Sequence, residues 1–464
     1  MDAAPPASDD RRLAVGLKLV GLHALAGVAL AFPALINGYP LVYADTGTYI
    51  EHAWTLLPSA DRTVGYGFII RAVTWLSTLW LVPLFQGLLA SWLLWSVQRV
   101  LVPEARRPIA THFATAGLLM ACTSLPWYVA QVMPDVMTPL LGLVLFLLFA
   151  EDPGNRWRRA WLWCLAFFLC WSHASHLALM VCAWAAAIAV GLVRRKRLAR
   201  PGSHWRNAVA LGAGMLLLWA VGAGYNARHG LRPAYAPASH VFLAGRLCEA
   251  HVLRDFLRRH CDDDRYALCR FREELPVVPT EFLWGESSIV SRLGAGMAGA
   301  DSLLEPVVRD LLRDPAARSA YLRTVLSDGL VQLTQVDAAS GLHPYGPGTA
   351  PWTAITQRLR GEATQYQRSR QTLRGWEHPG VNRVIGPVLL LACAVLLAGW
   401  RAIACNARLA LLVLGAAGWV AANAFITAGL ANVYDRLQSR VAWLLVFAAW
   451  LVLLRMRHDR RAAG

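Results

Sequence analysis

Asp45 lies in the run Tyr43-Ala44-Asp45-Thr46-Gly47-Thr48-Tyr49, a single carboxylate among aromatic and small residues. A carboxylate so placed can take a proton from a hydroxyl or an amine, which is general-base chemistry. Gly47 lets backbone approach closely, and Tyr43 and Tyr49 supply walls with an apolar body and a polar tip. The structural alternative is a helix cap, because an Asp directly before Thr46-Gly47-Thr48-Tyr49-Ile50 can accept from the first free amides. The surrounding stretch, 37–66, also carries Glu51, Asp61 and Arg62, which could bind substrate or relay a proton.

Three other places hold chemistry. Asp135 follows Pro134, where it could orient an acceptor or tune Asp45, or simply be an acid favoured at a helix N-terminus. Arg436 and Arg440, in Asn432-Val433-Tyr434-Asp435-Arg436-Leu437-Gln438-Ser439-Arg440, are four apart and share a helical face. Buried cations need an anion, and a lipid phosphate would serve; pairing with Asp435 or with headgroups is the other option. His173 and His176 also share a face, which suits proton relay, phosphate binding or one edge of a metal site, with interfacial packing as the alternative. Two histidines lack a further ligand, so no metal or other cofactor is assigned.

These residues sit between long apolar runs. The chain has 464 residues, 56% of them hydrophobic and 16% charged, a composition too apolar for a soluble protein. It reads as an all-α polytopic membrane protein. The net charge of +16 comes from Arg-rich loops between the runs, as membrane orientation requires, so nucleic acid is not an expected partner. The runs predict about ten spans of a ~30 Å core: 13–36, 79–98, 109–130, 131–150, two within 160–193, 207–226, 384–400, 409–430 and 440–454. The 160–193 run is about 51 Å of helix, too long for one crossing, so the chain must turn near 172–176. Only about 14 apolar residues follow Arg440, so the last span should start earlier and draw Arg436 and Arg440 toward the membrane.

Arg99, Arg106 and Arg107, the clusters 156–159 and 194–200, Arg401, Arg408 and the C-terminal basic tail place both termini in the cytoplasm. Three regions follow: 1–226 with its first external loop at 37–78, an extracytoplasmic and mainly helical segment at 227–380, and a C-terminal membrane region at 381–464. Segments such as 241–257 and 315–333 have helical periodicity, with Ser239 a cap for the first. Of nine cysteines, only Cys248, Cys261 and Cys269 fall in the polar segment. Cys248 and Cys261 would be about 19 Å apart on one helix, which favours a Cys261–Cys269 disulfide and leaves Cys248–Cys269 open.

A first span, an external loop with Asp45-x-x-x-Tyr49 opening a short helix, a second interfacial helix and a return span resemble the polyprenyl-phosphate-dependent glycosyltransferases of the GT-C superfamily. Protein O-mannosyltransferases and lipid A aminoarabinose transferases are of that kind. The resemblance implies that Asp45 is the catalytic base, that a second acid such as Asp135 approaches it, and that the donor is a polyprenyl-phosphate-linked sugar. Thr46 stands where many relatives carry a second acid, and Arg62-Thr63-Val64-Gly65-Tyr66-Gly67 stands where some carry Tyr-Pro-Pro. The expected activity is sugar transfer to a cell-envelope acceptor at the external face of the inner (plasma) membrane, with Arg436 and Arg440 on the donor phosphate. The alternative is a transporter or lipid flippase, which would place polar residues in mid-span, where few occur.

Overall fold

The computed structural model describes residues 9–151, 154–193, 201–262, 265–376 and 379–463. Among these the regular elements are all helices, and one isolated bridge joins Leu41 to Gln131. Five helices are long and apolar enough to cross a membrane: Leu81–Leu101, Ala174–Val193, Gly202–Arg228, Ala407–Leu430 and Asp435–Asp459. Shorter apolar helices, Gly16–Leu30, Pro108–Cys122, Pro134–Ala150 and Asn382–Ala398, stand beside them. Together they fall on all the expected spans except the first half of the 160–193 run. That half is the helix Arg156–Trp171, which starts with three arginines. The break comes at Ser172 and His173, where the length argument requires one. The basic cluster at 194–200 lies outside the described residues.

Small residues and polar pairs hold the bundle together. A Cβ on Gly27 would come within 2.8 Å of the backbone of Gly87, so the first helix and the 81–101 helix meet backbone to backbone, an approach only glycine permits. Beside it runs a chain of hydrogen bonds. His23 Nδ1 lies 3.0 Å from Ser91 Oγ, Ser91 Oγ 2.9 Å from His112 Nε2, and His112 Nδ1 3.0 Å from Gln98 Oε1. Gln98 and Trp450 both donate to Thr115 Oγ1, at 2.7 and 2.8 Å. Each buried polar group therefore meets another, which ties four helices together without a lone charge in the apolar interior.

The expected spans 109–130 and 131–150 are shorter than anticipated. Helices Pro108–Cys122 and Met137–Ala150 flank an irregular stretch around a five-residue helix, Leu125–Val129. Pro126 and Pro134 account for this, since each lacks an amide donor and clashes with the preceding turn. Asp135 sits in that stretch, completely buried.

The polar segment divides in its attachments. Helices Ser239–Glu249, Val252–His260, Gly296–Arg313 and Pro315–Gln332 turn Val241, Leu253, Phe256, Leu304, Val308 and Leu311 into a core of their own. Residues 338–376 instead pack into the membrane bundle and the first loop, through Leu342, Ile355, Tyr366 and Trp376. Ser239 opens its helix without capping it: Ala238 holds the cap position, and Asp301 Oδ1 accepts from the amides of His240 (2.7 Å) and Val241 (3.3 Å). Cys261 and Cys269 form a disulfide with their Cα atoms 5.4 Å apart, and Cys248 is a free thiol that donates to the Pro276 carbonyl at 2.9 Å. Non-reducing peptide mapping of protein taken from membranes should therefore recover a 261–269 crosslink and an alkylatable Cys248; a Cys248–Cys269 peptide would contradict it.

Candidate active site

The Asp45 loop is held on both flanks. Gly38, with φ at +77°, turns the chain out of the short helix Phe32–Asn37. Leu41 then pairs with the Asp135 stretch: its amide donates to the Ala130 carbonyl at 2.9 Å, and its carbonyl accepts from the Val132 amide at 2.8 Å. From the other side the Gln371 side chain brackets Val42, accepting from its amide (3.0 Å) and donating to its carbonyl (2.7 Å). Thr46 Oγ1 accepts from the Tyr43 amide (2.8 Å) and donates to the Val132 carbonyl (3.1 Å). Gly47 lies against Ala350, whose Cβ would sit 2.8 Å from a Cβ added there. Any side chain at 47 would push the helix Thr46–Thr55, and Asp45 with it, away from the helix Ala350–Arg358.

Asp45 occupies the N-cap position of Thr46–Thr55 but makes no side-chain cap bond. Its carboxylate turns toward guanidinium groups: Oδ1 accepts from Arg62 Nη2 at 2.6 Å, and Oδ2 lies 3.7 Å from Arg436 Nη2. Arg436 donates to Asp135 at 2.9 Å and Arg440 to the other oxygen of Asp135 at 3.2 Å. Arg440 also donates to Asn423 Oδ1 at 3.0 Å, and the Arg436 guanidinium lies over the Tyr43 ring, 3.6 Å from its centre. Asp61 is 3.9 Å from Arg62. Arg62, Arg436 and Arg440 thus face Asp45, Asp61 and Asp135 in a cluster whose formal charges balance.

Exposure separates the roles. The side chains of Asp45, Arg62 and Arg436 are 22%, 16% and 8% exposed, whereas Asp135 and Arg440 are sealed at 0% and 1%. Arg440 is therefore sealed behind Asp135, whereas Arg436 keeps some exposure. Its partner at the opening is Arg62, which also lies near the rings of Phe242 (5.5 Å) and Trp284 (5.7 Å). Burial pushes the Asp45 carboxyl up, but Arg62 and then Arg436 more than offset this and hold it below the usual carboxylate value.

The remaining expected residues fall around this centre. Tyr49 is buried and edge-on to Tyr66, whose hydroxyl donates to Gln86 at 2.8 Å. Glu51 points away and pairs with Arg358 at 2.8 Å. That pair sits at an open groove of about 670 Å³ between helices 46–55 and 350–358, which Gly47, Thr48, His52 and Ser59 also line. His176 is engaged on both nitrogens: Nδ1 donates to the Leu169 carbonyl (2.8 Å), which leaves Nε2 to accept from Thr138 Oγ1 (2.7 Å). His173 pairs through Nδ1 with Ser175 Oγ at 2.8 Å. The two histidines thus pack the break at 172–173. Among the described residues no three His, Cys, Asp or Glu side chains could hold a metal ion together.

No protein family, curated protein or solved structure matches the chain. Any functional reading must therefore stand on the cluster. Asn423, the lone amide in an apolar span, and the aromatic pair Phe242 and Trp284 were not among the residues expected there. An isolated Asn in a span can be noticed in sequence, whereas nothing local marks Phe242 or Trp284.

Proposed function

We propose that this chain is an integral membrane glycosyltransferase that moves a sugar from a polyprenyl-phosphate donor to a cell-envelope acceptor. One observation carries the reading. Asp45, in the position of a helix cap, leaves the helix amides and stands partly exposed between two guanidinium groups, with a third locked behind by Asp135.

In this mechanism the phosphate of the donor binds Arg436 and draws Arg62 away from Asp45. Losing Arg62 raises the basicity of Asp45 just as the donor arrives. Asp45 takes the proton of an acceptor hydroxyl or amine, whose freed electron pair forms the new bond to the anomeric carbon. The bond from that carbon to the phosphate oxygen breaks with inversion, and the phosphate leaves with the electron pair. Protonation of Asp45 turns the balanced cluster positive by one charge, so Arg62 and Arg436 hold the departing phosphate more firmly. The acceptor approaches along the groove between helices 46–55 and 350–358, which Gly47 and Thr48, two and three residues after Asp45, help to line.

The fold proposed with it is GT-C-like, with ten spans, both termini cytoplasmic and 227–380 outside the inner membrane. Tags at Arg195 and the C-terminus should report cytoplasm and one at Gly346 the exterior; a cytoplasmic signal at Gly346 would overturn this orientation. The activity is tested by incubating membranes that carry the chain with radiolabelled polyprenyl-phosphate sugars. Release of polyprenyl phosphate above membranes lacking the chain supports transfer. Movement of labelled lipid between leaflets without cleavage would instead establish the flippase alternative.

Arg62 gives this reading a pH signature. Asp45 must be ionised to accept a proton, so activity falls as pH drops through its pKa. Arg62 holds that pKa low before the donor binds, so Arg62→Ala should raise it and move the acid limb of the kcat/KM profile, which reports the free enzyme, to higher pH. An unmoved acid limb in the variant would show that Asp45 is not the group titrating.

A further inference from the structure

The helix Pro315–Gln332 carries a stripe that its own domain does not cover. Leu322, Leu326 and Leu330 recur every four residues and are 53%, 60% and 62% exposed, with Val331 beside them at 50%. The opposite face is satisfied: Ala317 and Tyr321 join the domain core, and Gly329 and Gln332 are buried. A row of leucines on one edge of an otherwise well-packed helix asks for a partner of apolar chemistry.

The neighbouring helix shows what that partner is. Ala407–Leu430 has 24 residues, about 36 Å at 1.5 Å per residue, slightly more than a ~30 Å hydrocarbon core. Its last turn and a half meets the leucine-bearing helix: Phe425 packs on Gly329, the Tyr321 hydroxyl donates to the Gly429 carbonyl, and Arg246 donates to the Ala428 carbonyl at 2.5 Å while pairing with Asp328. These contacts run from 321 to 329 on one helix and lie at 425–429, in the closing turns of the other. The 315–332 helix is therefore packed against the end of the 407–430 helix. That end lies within about 8 Å of where the membrane-length helix stops, the depth at which headgroups give way to acyl chains. Arg318 and Arg323, both exposed, flank the first leucine of the stripe, as anionic headgroups would require.

We propose that the 315–332 helix is seated in the membrane surface, with Leu322, Leu326 and Leu330 inserted among lipid acyl chains and Arg318 and Arg323 at the headgroups. The 239–332 domain is then fixed to the bilayer at two places, by the 407–430 helix and by the leucines. This proposal does not depend on sugar transfer, and it holds or fails whatever the activity assay returns.

The test uses the full chain in nanodiscs of phosphatidylethanolamine and phosphatidylglycerol, with the photocrosslinker p-benzoylphenylalanine placed singly at 322, 326 or 330. Arg313, 73% exposed and on the preceding helix, is the reference position. After irradiation, mass spectrometry should find phospholipid adducts at the three leucine positions and none at 313. Adducts to a second copy of the chain, or absence of lipid adducts at all three positions, would overturn the proposal. Because each position is read separately, loss of one variant to misfolding leaves the other two to decide.

Discussion

Asp45→Asn should reduce sugar transfer by about 10²–10⁴-fold, the usual cost of losing a general base, while the protein remains folded and in the membrane. The amide keeps the shape of the carboxylate and can still accept from Arg62, but it cannot take the proton of an acceptor. Stability should change little, because Asp45 and Arg62 are both partly exposed and water can replace their bond. Donor binding should persist or strengthen, since the neutral side chain no longer competes with a phosphate for Arg62 and Arg436. The measurement is turnover of labelled donor by membranes matched for expression, with donor binding assayed in parallel. Wild-type turnover by a well-expressed Asp45→Asn protein would remove Asp45 as the base.

Asp135→Ala should have the opposite profile, acting on folding before chemistry. Asp135 is the common partner of two buried arginines, and its loss leaves Arg436 and Arg440 facing each other with one carboxylate fewer. Removing one member of a buried ion pair typically costs about 3–5 kcal/mol, because the remaining charge stays desolvated and unpaired. Asp135→Asn should be nearly as damaging, since it keeps the shape but not the charge. Both variants should yield less protein from membranes and melt earlier in detergent than Asp45→Asn. Equal melting of the Asp45 and Asp135 variants would show that the buried acid does not hold the cluster together.

Several parts of this arrangement are legible in the sequence. The length of the 160–193 run demanded the break at Ser172 and His173, and the short apolar tail after Arg440 demanded that both arginines enter the last helix. Each follows from local arithmetic of helix rise against membrane thickness. Partner choice was not legible. Asp45 and Ser239 both stood where helix caps stand, yet Asp45 is taken by Arg62 and the amides after Ser239 are taken by Asp301. In each case a distant group outcompetes the near one, and propensity contains no term for it. Gly47 illustrates the same limit: it reads as a permissive turn residue, while its actual constraint is the Ala350 backbone some three hundred residues later.

The distance in sequence between Asp135 and its arginines, 301 and 305 residues, gives the cluster a place in biosynthesis. At about 5–20 residues per second, a ribosome needs roughly 15–60 s after making Asp135 before Arg436 exists. Through that interval the buried acid has neither of its cations, and a chain cut short anywhere before the last helix never acquires them. Until the final helix is complete, Asp135 must therefore stay hydrated or uncharged, and it can rest as a buried carboxylate only once Arg436 and Arg440 have been made.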